Sequence, residues 1–256
     1  MSPQRTHHAG TPSRTVVVTV VVTGGGTGIG AATAALFAEA GDDVVITGRR
    51  EDVLSRTAKE LGVRYVAFDA ADPGSVRGAL TELPTAVDVL VTNAGGNTDR
   101  QRPPVEAGDL DGVAAAWRAN FDANVLTTVL ITEALTPRLA DGARVVTIGS
   151  IAAKQGSGSY GAAKAAVEAW NVDLARKLAG RGISANVVAP GVTLDTEFFQ
   201  RTVTEEWVAA RVSAAFDKRA ATPAEIAGTV FFLASAASSH ITGQVVHVNG
   251  GAYTAR

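Results

Sequence analysis

Short apolar runs rich in valine alternate along the chain with longer stretches whose apolar residues recur at helical spacing. Thr15–Val22 is β-branched and bounded by glycines, the pattern of a parallel strand buried on both faces. Ile29–Ala40 sets Leu36 and Phe37 among alanines and is followed by Gly41, which predicts a helix with a glycine stop. The alternation continues. Strands are predicted at Val44–Thr47, Tyr65–Phe68, Val87–Thr92, Arg144–Gly149, Ser184–Ala189 and Val245–Val248. Helices are predicted at Glu51–Leu61, Pro73–Glu82, most of Asp111–Leu139, Ser159–Ala179 and Pro223–Ala234, the last with proline in its first turn. Seven strands alternating with helices predict an α/β fold, a single Rossmann-type doubly wound parallel sheet with helices on both faces. Right-handed crossovers then gather the strand C-terminal ends on one edge, where ligands bind.

The polar residues 1–14, with Pro3, Gly10 and Pro12, predict a disordered tail, and 15–256 one Rossmann-type domain. His7 and His8 belong to that tail and read as solvated residues. Two stretches break the rhythm. Gly95–Asp109 is polar and rich in Pro and Gly; Val192–Ala221 mixes Leu194, Phe198, Phe199, Trp207, Val208 and Phe216 with charges. Both follow strands and should lie over the ligand edge. The second reads as a substrate lid or as an amphipathic helix packed on the core.

Between the first strand and helix lies Thr23-Gly24-Gly25-Gly26-Thr27-Gly28-Ile29-Gly30. Glycines let a backbone approach a pyrophosphate, and the following helix N-terminus offers unpaired N–H groups and partial positive charge. The loop is therefore expected to bind a nicotinamide dinucleotide. The second strand ends in Thr47-Gly48-Arg49-Arg50, where a carboxylate is expected if the ribose 2′-hydroxyl of NAD is bound. Two guanidiniums suit a 2′-phosphate instead, so NADP(H) is expected rather than NAD(H).

Tyr160 and Lys164 are four apart in a predicted helix and so share a face. An ammonium beside a phenol favours the phenolate, so Lys164 is expected to lower the tyrosine pKa from its usual value of about 10. Ser150, at the end of the fifth strand, could hydrogen-bond a substrate carbonyl and stabilise developing charge. Alanines and glycines around these positions suggest no anchor for a charged substrate.

Composition narrows the field. A net charge of −2 does not favour nucleic acid or an anionic membrane as partner, and no stretch approaches the length of a membrane span. The chain has no cysteine, which excludes disulfides and thiol catalysis and fits a cytoplasmic location. The isolated His240 and His247 read as structural, and no metal site is expected.

Taken together, from about Thr15 to Gly251, the chain resembles the short-chain dehydrogenase/reductase family, in its NADP-preferring, 3-oxoacyl-reductase-like branch. The matches are Thr23–Gly30 (TGxxxGxG), Asn93-Ala94-Gly95 (NAG), Asn124, Ser150, Tyr160 with Lys164 (YxxxK), Pro190-Gly191, and Gly243 with Asn249-Gly250-Gly251. The resemblance implies Tyr160 as general acid/base, Ser150 orienting the carbonyl, Lys164 binding the nicotinamide ribose and tuning Tyr160, and Asn124 holding a water in a proton relay. It implies cofactor contacts from Gly24, Gly26, Thr27, Gly28, Ile29 and Gly30, from Arg49 and Arg50, from Asp69 and Ala70 near adenine, and from Ala94, Gly95, Pro190 and Gly191. Asn93 would support the central strands beside the cofactor. Either Thr193 or Thr196 would reach the nicotinamide carboxamide, Thr196 being preferred. Asn120 competes with Asn124, and Ser157 and Ser159 with Ser150. A homo-oligomer, dimer or tetramer, would form through the long helices.

The expected activity is hydride transfer between nicotinamide and a ketone or secondary alcohol. A 3-oxoacyl thioester and a small or cyclic ketone are both plausible small-molecule substrates. The alternatives are a non-redox isomerase, dehydratase or cyclase, and a silent NADP-binding regulator.

Overall fold

The computed structural model describes residues 16–194, 196 and 204–255. Seven parallel strands form one sheet: β1 (Thr19–Thr23), β2 (Asp43–Gly48), β3 (Arg64–Ala67), β4 (Val87–Thr92), β5 (Leu139–Ile148), β6 (Ser184–Pro190) and β7 (Val245–Val248). Their spatial order is β3-β2-β1-β4-β5-β6-β7, so the order reverses at β1 and β4. A crevice opens at such a switch point beyond the strand C-termini.

The valine-rich strands are buried because both faces are covered. Val21, Val45, Leu90 and Val145 face one apolar cluster, with Ile131, Leu135 and Leu174 supplied by helices. Val20, Val22, Ile46, Val89 and Val146 face the other, with Phe37, Leu54, Ile226 and Val230. The helices of the first layer include α3 (Pro73–Ala79), α5 (Thr127–Leu135) and α7 (Gly158–Leu178), with α4 (Leu110–Phe121) leading into α5 and the short α6 (Ala152–Gln155) preceding α7. Those of the second are α1 (Gly28–Glu39), α2 (Glu51–Leu61) and α9 (Pro223–Leu233); between β6 and α9 stands α8 (Glu205–Ala214). Phe37 of α1 meets Phe231 of α9 with ring centroids 5.0 Å apart.

The helix expected over Pro73–Glu82 ends at Ala79, and the element boundaries differ most from expectation at three other places. The first strand begins at Thr19, because β2 pairs with it only from Asp43 onward; Val16 and Val17 are exposed. The long helix expected over Asp111–Leu139 is broken by a π-helical turn at Asp122–Leu126 and ends at Leu135. Pro137, which lacks an N–H, then sits in a 3-10 turn. The fifth strand starts early, at Leu139, and its pairing with β4 shifts register between Val87 and Val89. The tail, with His7 and His8, lies outside the described residues.

α9 begins with a complete capping box: the Thr222 side chain accepts from Glu225 N–H while Glu225 reaches back to the Thr222 backbone. Thr222→Ala is expected to cost about 1 kcal/mol, since orphan N–H groups lose a partner. Thermal denaturation should register this as a fall in Tm of roughly 2–4 °C.

Candidate active site

The loop after β1 turns through Gly24, whose φ of 63° is left-handed, and enters α1 at Gly28. α1 has no side-chain cap and no acidic residue in its first turn. Its leading N–H groups are thus placed for an anion. Several contacts hold the loop. Asn93 Nδ2 donates to Thr23 O (3.1 Å) and Gly24 O (3.0 Å), and Thr23 Oγ1 accepts from the N–H groups of Asn93 and Ala94, both at 3.0 Å. Thr57 Oγ1 of α2 donates to Gly26 O at 2.8 Å. Asn93 thereby clamps the loop to β4.

A cleft of about 1840 Å³ runs along this edge. Its wall includes every residue anticipated for the site except Gly30 and Asn124. Gly30 packs behind the loop: a Cβ there would lie 2.2 Å from Gly24 O and 2.5 Å from Asn93 Nδ2. At one end are Arg49 and Arg50, both exposed, with Asp69 and Ala70 across from them after β3. One Asp69 oxygen accepts from Ala71 N–H at 2.9 Å. Thr193 and Thr196 are both buried in the wall, and the Thr196 methyl would be 3.2 Å from a Cβ on Gly28, which sets Thr196 against the phosphate loop.

Toward the other end, α7 presents Tyr160 and Lys164 one turn apart. Ser150, just past β5, accepts from Ala152 N–H at 3.1 Å and is hydrogen-bonded to Tyr160. Ser157 also lines the cleft, whereas Ser159 donates from Oγ to Asp99 Oδ2 at 2.9 Å and faces away from it. Of the three serines, Ser150 is the one paired with the tyrosine.

The expected tuning by Lys164 is not what the structure shows. Burial pushes the Tyr160 phenol up to about 12, and only the hydrogen bond with Ser150 and the charge of Arg100 act in the opposite direction. Lys164 Nζ lies 5.9 Å from the Tyr160 ring centroid and donates instead to Ile148 O at 2.9 Å. Burial also draws its pKa down to about 8. Desolvation is thus the leading cause of the shift at both groups.

Asn124 stands behind the cleft wall, fully buried in the π turn. A π turn leaves a carbonyl without its i+4 partner. Asn124 Nδ2 donates to Asn120 O (2.9 Å) and to Gly96 O (2.9 Å), and its Oδ1 accepts from Gly96 N–H (3.1 Å). Asn120 serves a neighbouring turn instead. Its Nδ2 donates to Asp99 Oδ1 and Ser159 Oγ, both at 2.8 Å, and its Oδ1 accepts from Thr98 N–H.

A family model described as enoyl-(acyl carrier protein) reductase matches residues 24–253. Sulfoacetaldehyde reductase 2 of Chromohalobacter salexigens is 38% identical over 192 residues, covering 70% of this chain and 73% of its own. A short-chain dehydrogenase from Burkholderia cenocepacia, solved with NADP, superposes with TM-score 0.80 at 31% identity, over 91% of this chain and 96% of that one. A 3-oxoacyl-[acyl-carrier protein] reductase from Brucella melitensis, solved with NAD, gives TM-score 0.79 at 31% identity, over 95% and 94%. The chain belongs to the short-chain dehydrogenase/reductase family. It is an oxidoreductase of that family by sequence and by fold.

On this short-chain dehydrogenase/reductase scaffold the structure adds two arginines that the sequence does not single out, beside a tryptophan of the expected lid stretch. Arg100, in a 3-10 turn at Thr98–Gln101, and Trp207 and Arg211, on α8, line the same cleft. None of the α8 residues is buried, so this helix is not the core-packed one considered above. The site therefore does hold cationic side chains, contrary to the expectation that it offered no anchor for charge. Among the described residues no helix is long and apolar enough to cross a membrane.

Proposed function

We propose that the chain is an NADP(H)-dependent carbonyl reductase, interconverting a ketone and a secondary alcohol with Tyr160 as general acid/base. The observation that carries this reading is the Ser150–Tyr160 pair, with buried Lys164 one turn on, opening into the same cleft as the uncapped start of α1.

The residues fit a dinucleotide. A Cβ on Gly24 would fall 2.9 Å from Ala94 Cα, so glycine lets the loop pack closely on the end of β4 while Gly26, Thr27 and Gly28 line the cleft at the uncapped start of α1. Gly24, Gly26, Thr27, Gly28 and Ile29, with the α1 N-terminus, would hold the pyrophosphate, and Asp69 and Ala70 would border the adenine end. The bound dinucleotide supplies or accepts the hydride. Everything else falls to the protein. Ser150 hydrogen-bonds the carbonyl oxygen as charge grows on it. Tyr160 holds a proton at its hydroxyl and delivers it to that oxygen. Lys164, anchored on Ile148 O, orients the ribose, Asn124 fixes the Gly96 backbone beneath the site, and Thr196 borders the nicotinamide end. α8 forms the outer wall of the substrate side.

Preference for NADP(H) is supported by Arg49 and Arg50 at the cleft rim, where guanidiniums suit a 2′-phosphate. Arg49→Ala is expected to weaken NADPH binding about tenfold in a fluorescence titration, with NADH little affected. Equal losses for both would remove the preference.

Both relatives bearing a substrate in their names are named as reductases of carbonyl compounds, which supports the reaction class. Self-association through α4 and α7 fits the exposed Leu110, Val113, Trp117 and Val172, and sedimentation at several concentrations measures it. Loss of NADPH absorbance with a panel of ketones tests the activity. Tight NADPH binding without turnover of any of them would return the chain to a non-redox or regulatory role.

A further inference from the structure

The turn that carries Arg100 is bolted down on both sides. Asp99 is gripped by Asn120 of α4 and by Ser159, the residue preceding Tyr160, and Thr98 N–H donates to Asn120 Oδ1 at 3.1 Å. The position of Arg100 is thereby tied to that of the catalytic tyrosine. Trp207 and Arg211 share one face of α8 at i, i+4 spacing. Both guanidiniums pack on the same indole: Arg100 and Arg211 each lie 4.8 Å from the Trp207 ring centroid. Two like charges held against one ring inside a cleft repel, and half-burial of Arg100 adds a desolvation cost. Two further arginines, Arg102 and Arg219, line the same cleft. Arg102 donates to Ala115 O, and Arg219 is paired with Glu225 and Asp217.

We infer that Arg100, Trp207 and Arg211 form an oxyanion-binding subsite, which selects small carbonyl substrates bearing a carboxylate or sulfonate group. Guanidiniums bind such groups through paired, charge-assisted hydrogen bonds, and a bound anion relieves the repulsion between them. The anion would hold the substrate while its carbonyl meets Ser150 and Tyr160. This rests on the reductase reading given above.

Acetoacetate and its methyl ester differ chiefly in charge, so they serve as paired probes. The wild-type enzyme with NADPH is expected to prefer the acid in kcat/KM. In Arg211→Gln, and likewise in Arg100→Gln, the acid-to-ester ratio should fall about tenfold, mainly through KM for the acid. Arg211→Lys should restore part of it. A ratio unchanged in both Gln variants, or a wild-type preference for the ester, overturns the inference. If neither compound is turned over, calorimetric titration of acetoacetate into the NADP-saturated protein decides. Binding that is lost in Arg211→Gln upholds the anion subsite and sinks the reductase reading; no binding to the wild type sinks the subsite. Arg211 is exposed on α8, so its variants should keep the wild-type Tm.

Discussion

Tyr160→Phe is expected to lower kcat for carbonyl reduction by about 10²- to 10⁴-fold while NADPH binding is retained. The substitution removes one hydroxyl from a side chain that is otherwise packed and buried, so the ring keeps its place. Ser150 loses a partner but keeps its hydrogen bond from Ala152 N–H. Stopped-flow transfer rates with a turned-over ketone, beside an NADPH titration, separate chemistry from binding. A variant that reduces at near wild-type rate would remove Tyr160 from the mechanism.

The pH dependence follows from the same burial. With its pKa pushed up to about 12, Tyr160 keeps its proton throughout the neutral range. It is ready to donate in the reducing direction, and that limb should stay flat through pH 9. Alcohol oxidation needs the phenolate, whose fraction rises about tenfold per pH unit below the pKa. The oxidative kcat/KM should therefore climb through the alkaline range. Arg100 lowers the Tyr160 pKa, so Arg100→Met should move that climb to higher pH. A pH-independent oxidation rate would contradict this account.

These expectations depend on features of unequal visibility in the sequence. The strand, glycine loop and helix at Thr19–Glu39 are legible because each signal is local: a β-branched run, then glycines, then helical spacing. Arg49 and Arg50 are legible for the same reason, lying directly after a strand. The π turn at Asp122–Leu126 has no comparable local signal, so the pattern implies a continuous helix and does not show the early start of β5. The direction of the Tyr160 shift is not legible in the sequence, because helical spacing reveals that Lys164 is near but not that both groups are desolvated. Arg100 and Arg211 are more than a hundred residues apart, each in a stretch of mixed polarity. Only the fold brings them to one indole.

Gly30→Ala is the second substitution expected to have a large effect, and it acts without touching the cleft. The backbone at Gly30 does not have a left-handed φ, so the cost is one of space. The new Cβ would meet Gly24 O at 2.2 Å and Asn93 Nδ2 at 2.5 Å, the two atoms joined in the hydrogen bond that clamps the loop to β4. Neither is the flexible end of a surface side chain, so the loop must shift away from the strand. Overpacking of this kind costs about 1–3 kcal/mol. A displaced cradle should also lose dinucleotide affinity, by up to about a hundredfold. Gly78→Ala provides the control, because its Cβ would meet nothing within 4 Å in α3 and alanine favours helix. Asn93→Ala breaks the same clamp from the other side. The two changes should therefore be non-additive in both Tm and NADPH affinity, with the double variant little worse than the poorer single one. Additive losses would mean that Gly30 and Asn93 hold the loop independently, and a Gly30→Ala protein with wild-type Tm and affinity would show that the clamp is dispensable.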